Sequence, residues 1–168
     1  MSNAVSIDFG DSFYTENVTN MKEMFFSCKS LNSLDVSRFD TSKVTNMDSM
    51  FSSSGFTSLD LSSFDTSSVK EMQSMFSCCY QISSLDLSSF DTSNVTHMGW
   101  MFNECKSLVS LDVSGFDTSK VDKMSYMFAL CDADINFGTW ETDSVNSHQA
   151  FMDSGDLVNG SPWEELFD

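Results

Sequence analysis

Four aspartates in this chain recur inside one short phrase. Asp35, Asp60, Asp86 and Asp112 each lie between two apolar residues and stand two positions before a serine, Ser37, Ser62, Ser88 and Ser114. A row of carboxylates flanked by hydroxyls can hold a hard cation through oxygen ligands or attract a basic protein. Asp60 and Asp86 are where a loosely held calcium ion would sit, although the chain carries neither an EF-hand loop nor a nonapeptide calcium repeat. The same row also fits a plainer role, in which the charge serves solubility and protects strand edges.

A second group is aromatic. Trp100 and Tyr126 occupy matching places in successive repeats where other copies carry Glu23, Ser49 and Ser74, and Tyr80 lies near the same rim. Exposed aromatics of this kind anchor protein interfaces, and scattered surface aromatics are the competing reading. Catalytic chemistry has little to draw on. His97 and His148 sit in no nucleophile motif, and no Gly-rich phosphate loop or paired metal ligands are present. The expectation is a protein without enzymatic activity, cofactor or resident metal. Of the five cysteines, Cys28, Cys79, Cys105 and Cys131 recur ten residues after a repeating Val, with Ser54 completing the set. They read as small buried hydrophobes, reduced rather than bridged. Cys78 falls outside that register and is the one expected to be accessible.

These residues are positioned by an internal repeat. Val18, Val44, Val69, Val95, Val121 and Val145 mark its copies, with steps of 26, 25, 26, 26 and 24 residues. A period of this size predicts a solenoid, in which each unit buries its apolar face on its neighbours. In Val44-Met47-Met50-Phe51-Ser54 the inward positions fall at 0, 3, 6, 7 and 10 residues. That spacing predicts a helix of three turns, with Asp40-Thr41-Ser42 as its cap. The alternating Ser-Leu-Asp-Leu/Val-Ser segments predict short parallel strands. Phe39, Phe64, Phe90, Phe116 and Trp140 predict an internal aromatic spine.

The expected fold is therefore an α/β repeat solenoid, leucine-rich-repeat-like, with a parallel β-ladder on the concave face and short helices on the convex face. One domain is expected over residues 1–168: a partial coil at 1–17, five repeats over 18–144, and a degenerate repeat with a cap at 145–168. Within that cap, Ser161-Pro162-Trp163-Glu164 predicts a short helix start.

The chain has 168 residues, 25 of them acidic and 8 basic, for a formal charge of −17. Such a surface repels nucleic acid and anionic membranes. No run approaches the ~18 apolar residues of a membrane span, and no signal peptide is visible at the start of the chain. A monomer binding protein ligands is expected.

The phrase Leu-x-x-Leu-Asp-Leu-Ser-x-Phe-Asp-Thr-Ser-x-Val-Thr-x-Met-x-x-Met-Phe-x-x-Cys, seen nearly letter for letter at Leu85–Cys105, resembles the BspA-like leucine-rich repeat surface proteins and their roughly 26-residue bacterial surface-protein repeat. The resemblance covers Val18 to about Val145. It implies a secreted or cell-surface scaffold that binds host or matrix proteins, and offers no catalytic residues to carry over. A cytoplasmic interaction module and a purely structural stalk are the alternatives.

Overall fold

The computed structural model describes residues 4–138 and 140. The expected helices are not there. Among the described residues no helix occurs, and regular strand structure is limited to β1 (Ser110–Asp112) and β2 (Asp134–Asn136). These pair in parallel, with Leu111 opposite Ile135. The fold is thus not an α/β solenoid with convex helices, and the expected concave β-ladder is reduced to this single pair. The predicted cap at 145–168 and His148 lie outside the described residues.

The backbone explains why a helical periodicity gives no helix. In every coil the fifth and ninth residues after the repeating Val have positive φ: Glu23 and Ser27, Ser49 and Ser53, Ser74 and Cys78, Trp100 and Glu104, Tyr126 and Leu130, all between 54° and 59°. Two left-handed residues per coil interrupt any right-handed helix. The segment folds instead into successive tight turns, such as Met50 N–H to the Met47 carbonyl and Ser52 N–H to the Ser49 carbonyl. Turn corners three residues apart still face inward, so Val69, Met72, Met75 and Phe76 are fully buried. The apolar spacing is satisfied twice over, by helix or by turns, and the serine content of stretches such as Ser52-Ser53-Ser54 disfavours the helix.

The donors that a helix would have used internally are used between coils. N–H groups of Met47, Ser49, Phe51 and Ser53 donate to the carbonyls of Glu71, Gln73, Met75 and Ser77 in the next coil at 2.8–3.0 Å. The same register joins Met21–Ser27 to the coil of Val44, Met72–Cys78 to that of Val95, and Met98–Glu104 to that of Val121. Parallel bridges link Asn20, Asn46, Glu71, His97 and Lys123 in one line. Inside this ladder Phe25, Phe51, Phe76, Phe102 and Phe128 stack with centroids 5.6–5.8 Å apart and planes within 13°. The continuous ring column thus lies one turn away from the predicted spine. Phe39, Phe64, Phe90, Phe116 and Trp140 are buried as expected, but in this row only Phe116 and Trp140 stack.

The Asp-Thr-Ser triplet is not a helix cap either. Thr41, buried, donates its hydroxyl to the Asp65 carbonyl at 2.9 Å and accepts from the Asp65 N–H at 2.8 Å. Thr15, Thr66 and Thr92 clamp the next coil in the same reciprocal way. The position ten residues after the Val does similar work. Ser54 donates to the Phe25 carbonyl, Cys79 to Phe51 and Cys105 to Phe76. A hydroxyl and a thiol are interchangeable there because each donates across the coil boundary.

Left-handed backbone at a side-chain-bearing residue costs about 1 kcal/mol that glycine avoids. Ser74→Gly is expected to raise stability by about 0.5–1 kcal/mol, as its φ is 57°. Gly55→Ala should do the reverse, because an added Cβ would overlap the Lys29 backbone carbonyl. Urea unfolding of both variants checks the pair of signs.

Candidate binding surface

The aspartate row forms from local turns, and only Asp112 and Asn136 also end strands, β1 and β2. The carboxylate Oδ1 of Asp35 accepts the Ser37 N–H at 3.0 Å and the Ser37 hydroxyl at 2.7 Å. Asp60 holds Ser62 in the same way. Asp86 and Asp112 accept from the N–H groups of Ser88 and Ser114. These are Asx turns, built by a short acidic side chain that bonds its own backbone two residues on. Asp8 with Gly10 and Asn136 with Gly138 extend the row at both ends. The serines of the predicted site therefore orient the carboxylates.

The carboxyls of Asp35, Asp60, Asp86 and Asp112 ionise more readily than usual. Asp35, Asp60 and Asp112 are held below the ordinary value of 3.8 chiefly by the serine hydroxyl and then by the serine amide, and Asp86 by the amide first. Asp35 and Asp86 push Asp60 the other way, but the Ser62 bonds outweigh them. A carboxyl whose folded value is depressed stabilises the fold above its unfolded value and loses that contribution as pH falls through its folded value. Melting temperature should therefore hold above about pH 4 and drop below it. Asp60→Asn with Asp86→Asn should flatten the drop, and a thermal melt series from pH 5 to pH 2 checks this. Among the described residues no three His, Cys, Asp or Glu side chains converge as a metal set.

The expected aromatic pair is brought together. Trp100 and Tyr126 stack at 5.4 Å between centroids and 11° between planes, and remain 40% and 36% exposed. Both stand on left-handed backbone at the edge of the inter-coil ladder, with Trp100 N–H donating to the Ser125 carbonyl. Tyr80 is exposed but belongs elsewhere. Its hydroxyl donates to Glu104 at 3.3 Å, and Lys106 lies 5.7 Å above its ring and 3.2 Å from Glu104. Cys78 first, and Glu104 after it, push the Tyr80 phenol up to about 12. No ring contact joins Tyr80 to Trp100 or Tyr126 among the described residues.

Sequence reasoning missed several exposed apolar side chains, Phe26, Val109 and Leu130 among them. Leu130 shares the left-handed ninth position, which the repeat register marks once the turn structure is known. His97 sits in the line of parallel bridges between Glu71 and Lys123. The half-buried ring lies with Nδ1 2.8 Å from Glu71 and Nε2 3.5 Å from Asp122. The in-register thiols are free and buried. Burial pushes Cys79 up to about 12 and raises Cys28, Cys105 and Cys131, so none is a ready nucleophile. Cys78 is half-buried.

Neither a curated protein nor a solved structure matches this chain. One family model does, over residues 2–85 and again over 56–163, so that nearly the whole repeat array is included. The chain belongs to the family described as Mycoplasma protein of unknown function, DUF285.

Proposed function

We propose that this protein is a non-catalytic binding scaffold of the BspA-like surface-protein kind, displayed at a cell surface or secreted, and that it captures a protein ligand. The observation that carries the reading is the Trp100–Tyr126 stack. Two large rings stay more than a third exposed although the backbone beneath them adopts a conformation that disfavours side chains. Rigid aromatics on a fixed backbone lose little freedom on binding, which favours them as anchors. The coil stack supplies the rigidity, since each ring stands on backbone bonded to a neighbouring coil. A net charge of −17 favours a basic partner and disfavours nucleic acid and anionic membrane.

The test compares the wild-type chain with W100A/Y126A, each immobilised at equal density and exposed to extracellular matrix and host-surface proteins. Retention by the wild type, lost in the double variant at unchanged melting temperature, supports the reading. Equal retention by both removes the aromatic pair from it. Retention by neither leaves a structural stalk as the better account.

A further inference from the structure

The aspartate-bearing segments of adjacent coils are separated by grooves, and the residue just before the recurring Phe decides what fills each one. That residue is Arg38, Ser63, Ser89 or Gly115. Ser63 and Ser89 reach back to the preceding coil and donate to the Val36 and Leu61 carbonyls. Arg38 also reaches back, and its guanidinium donates to the Gly10 carbonyl at 2.9 Å and the Asp11 carbonyl at 3.1 Å. It lies in a cavity of about 160 Å³ that Asp8 and Asp35 also line. Gly115 reaches nothing, and a Cβ built on it meets no atom within 4 Å.

The groove beside Gly115 is the larger one, at about 290 Å³. Leu85, Leu87, Phe90 and Phe116 give it an apolar lining, and Asp86 and Asp112 add two carboxylates. The Ser88 and Ser89 carbonyls follow Asp86 as those of Gly10 and Asp11 follow Asp8, although the first coil carries one more residue before its Phe and has Gly10 in left-handed backbone. No hydrogen bond to either serine carbonyl is made among the described residues. An arginine stem suits an apolar lining and its guanidinium suits carboxylates and carbonyls together.

We infer that the Gly115 groove is a binding site for an arginine side chain of a partner protein, which enters it as Arg38 enters the equivalent groove from within this chain. The inference rests on the protein-binding reading above and gives that partner a chemistry. Arg38 is the internal precedent: the same fold position already seats a guanidinium between two coils. Gly115 is the residue that leaves the seat open. The partner contributes the stem, the positive charge and up to five donors, and the groove contributes two carboxylates, serine hydroxyls and apolar surface.

The probe is Nα-acetyl-arginine amide, with the uncharged isostere Nα-acetyl-citrulline amide as its control, followed by amide NMR shifts of the full chain. Arginine is expected to move the Gly115, Phe116 and Ser88 amides, and to bind about fivefold or more tightly than citrulline at low salt. Gly115→Arg should abolish the response by filling the groove from within, and it should melt with the wild type because the added side chain meets open space. Asp86→Asn with Asp112→Asn should bring arginine down to the citrulline level. Equal binding of the two probes, shifts spread evenly over every aspartate coil, or a wild-type response from Gly115→Arg would each overturn the inference. Capture by the Trp100–Tyr126 pair is read with a different variant, so a failed arginine titration leaves the broader reading standing. A failed capture likewise leaves the groove result intact.

Discussion

Phe76→Ala is expected to cost about 3–5 kcal/mol and to broaden the unfolding transition. Phe76 is fully buried and stacks on Phe51 at 5.7 Å and on Phe102 at 5.8 Å, so its loss opens a gap in the middle of the ring column. Its own N–H and the Met75 carbonyl carry two rungs of the ladder, and a cavity there loosens both. Equilibrium denaturation by urea gives the magnitude, and the slope shows whether the two halves still unfold together. Phe26→Ala, at a half-exposed ring, should change stability by no more than about 1 kcal/mol and serves as the control. A loss below about 1 kcal/mol for Phe76→Ala would show that the column is not what joins the coils.

Thr66→Val is the second large effect. The hydroxyl of Thr66 donates to the Asp91 carbonyl at 2.9 Å and accepts from the Asp91 N–H at 2.8 Å, inside a residue with no exposure. Valine keeps the shape and removes both bonds, leaving two part-buried backbone groups without partners. Each costs about 1–3 kcal/mol, so a total of about 2–6 kcal/mol is expected. Thr66→Ser keeps the hydroxyl and loses only a methyl group, and should recover most of the difference. Hydrogen exchange at the Asp91 amide separates the two effects, since it should accelerate in Thr66→Val and stay slow in Thr66→Ser. If Val and Ser destabilise alike, packing rather than the clamp explains the threonine.

The repeat, its period and its inward positions were legible in the sequence because they are properties of spacing. Val69, Met72, Met75, Phe76 and Cys79 are buried as their register demands. The backbone carrying them was not legible, because turns three residues apart and a helix place the same side chains on the same side. Left-handed residues usually announce themselves as Gly or Asn, whereas here they are Ser, Glu, Cys, Trp, Tyr and Leu. The strand reading held at Ser110–Asp112 and Asp134–Asn136 and failed in the earlier copies for a related reason. Ser-Leu-Asp-Leu-Ser alternates like a strand, but Asp60 bonds the Ser62 amide and bends the chain into an Asx turn. The Asp-x-Ser spacing, present twice in every full copy, was the available signal for that turn. Of the candidate site, the Trp100–Tyr126 pairing followed directly from repeat register, and the detachment of Tyr80 did not, since it depends on Glu104 and Lys106 in the next coil.

From the first Met of each repeat onward, the inter-coil ladder has one direction. N–H groups at alternate positions from Met21, Met47, Met72 and Met98 point to the following coil and the carbonyls between them to the preceding one, whereas just before that Met the bonds run backward, as from Thr45 N–H to the Thr19 carbonyl. Beyond Thr19 the first coil therefore shows a run of carbonyls, those of Asn20, Lys22, Met24 and Phe26, to which no described residue donates. An ordinary β-strand passing along that row would bring its own carbonyls against it, since a strand edge alternates donors and acceptors. Two copies meeting by their first coils would face carbonyl against carbonyl. The open end thus resists the edge-to-edge association to which exposed sheets are prone, without a protective proline or a lysine fence. Resistance to that association is in this way built into the polarity of the backbone as well as into the surface charge.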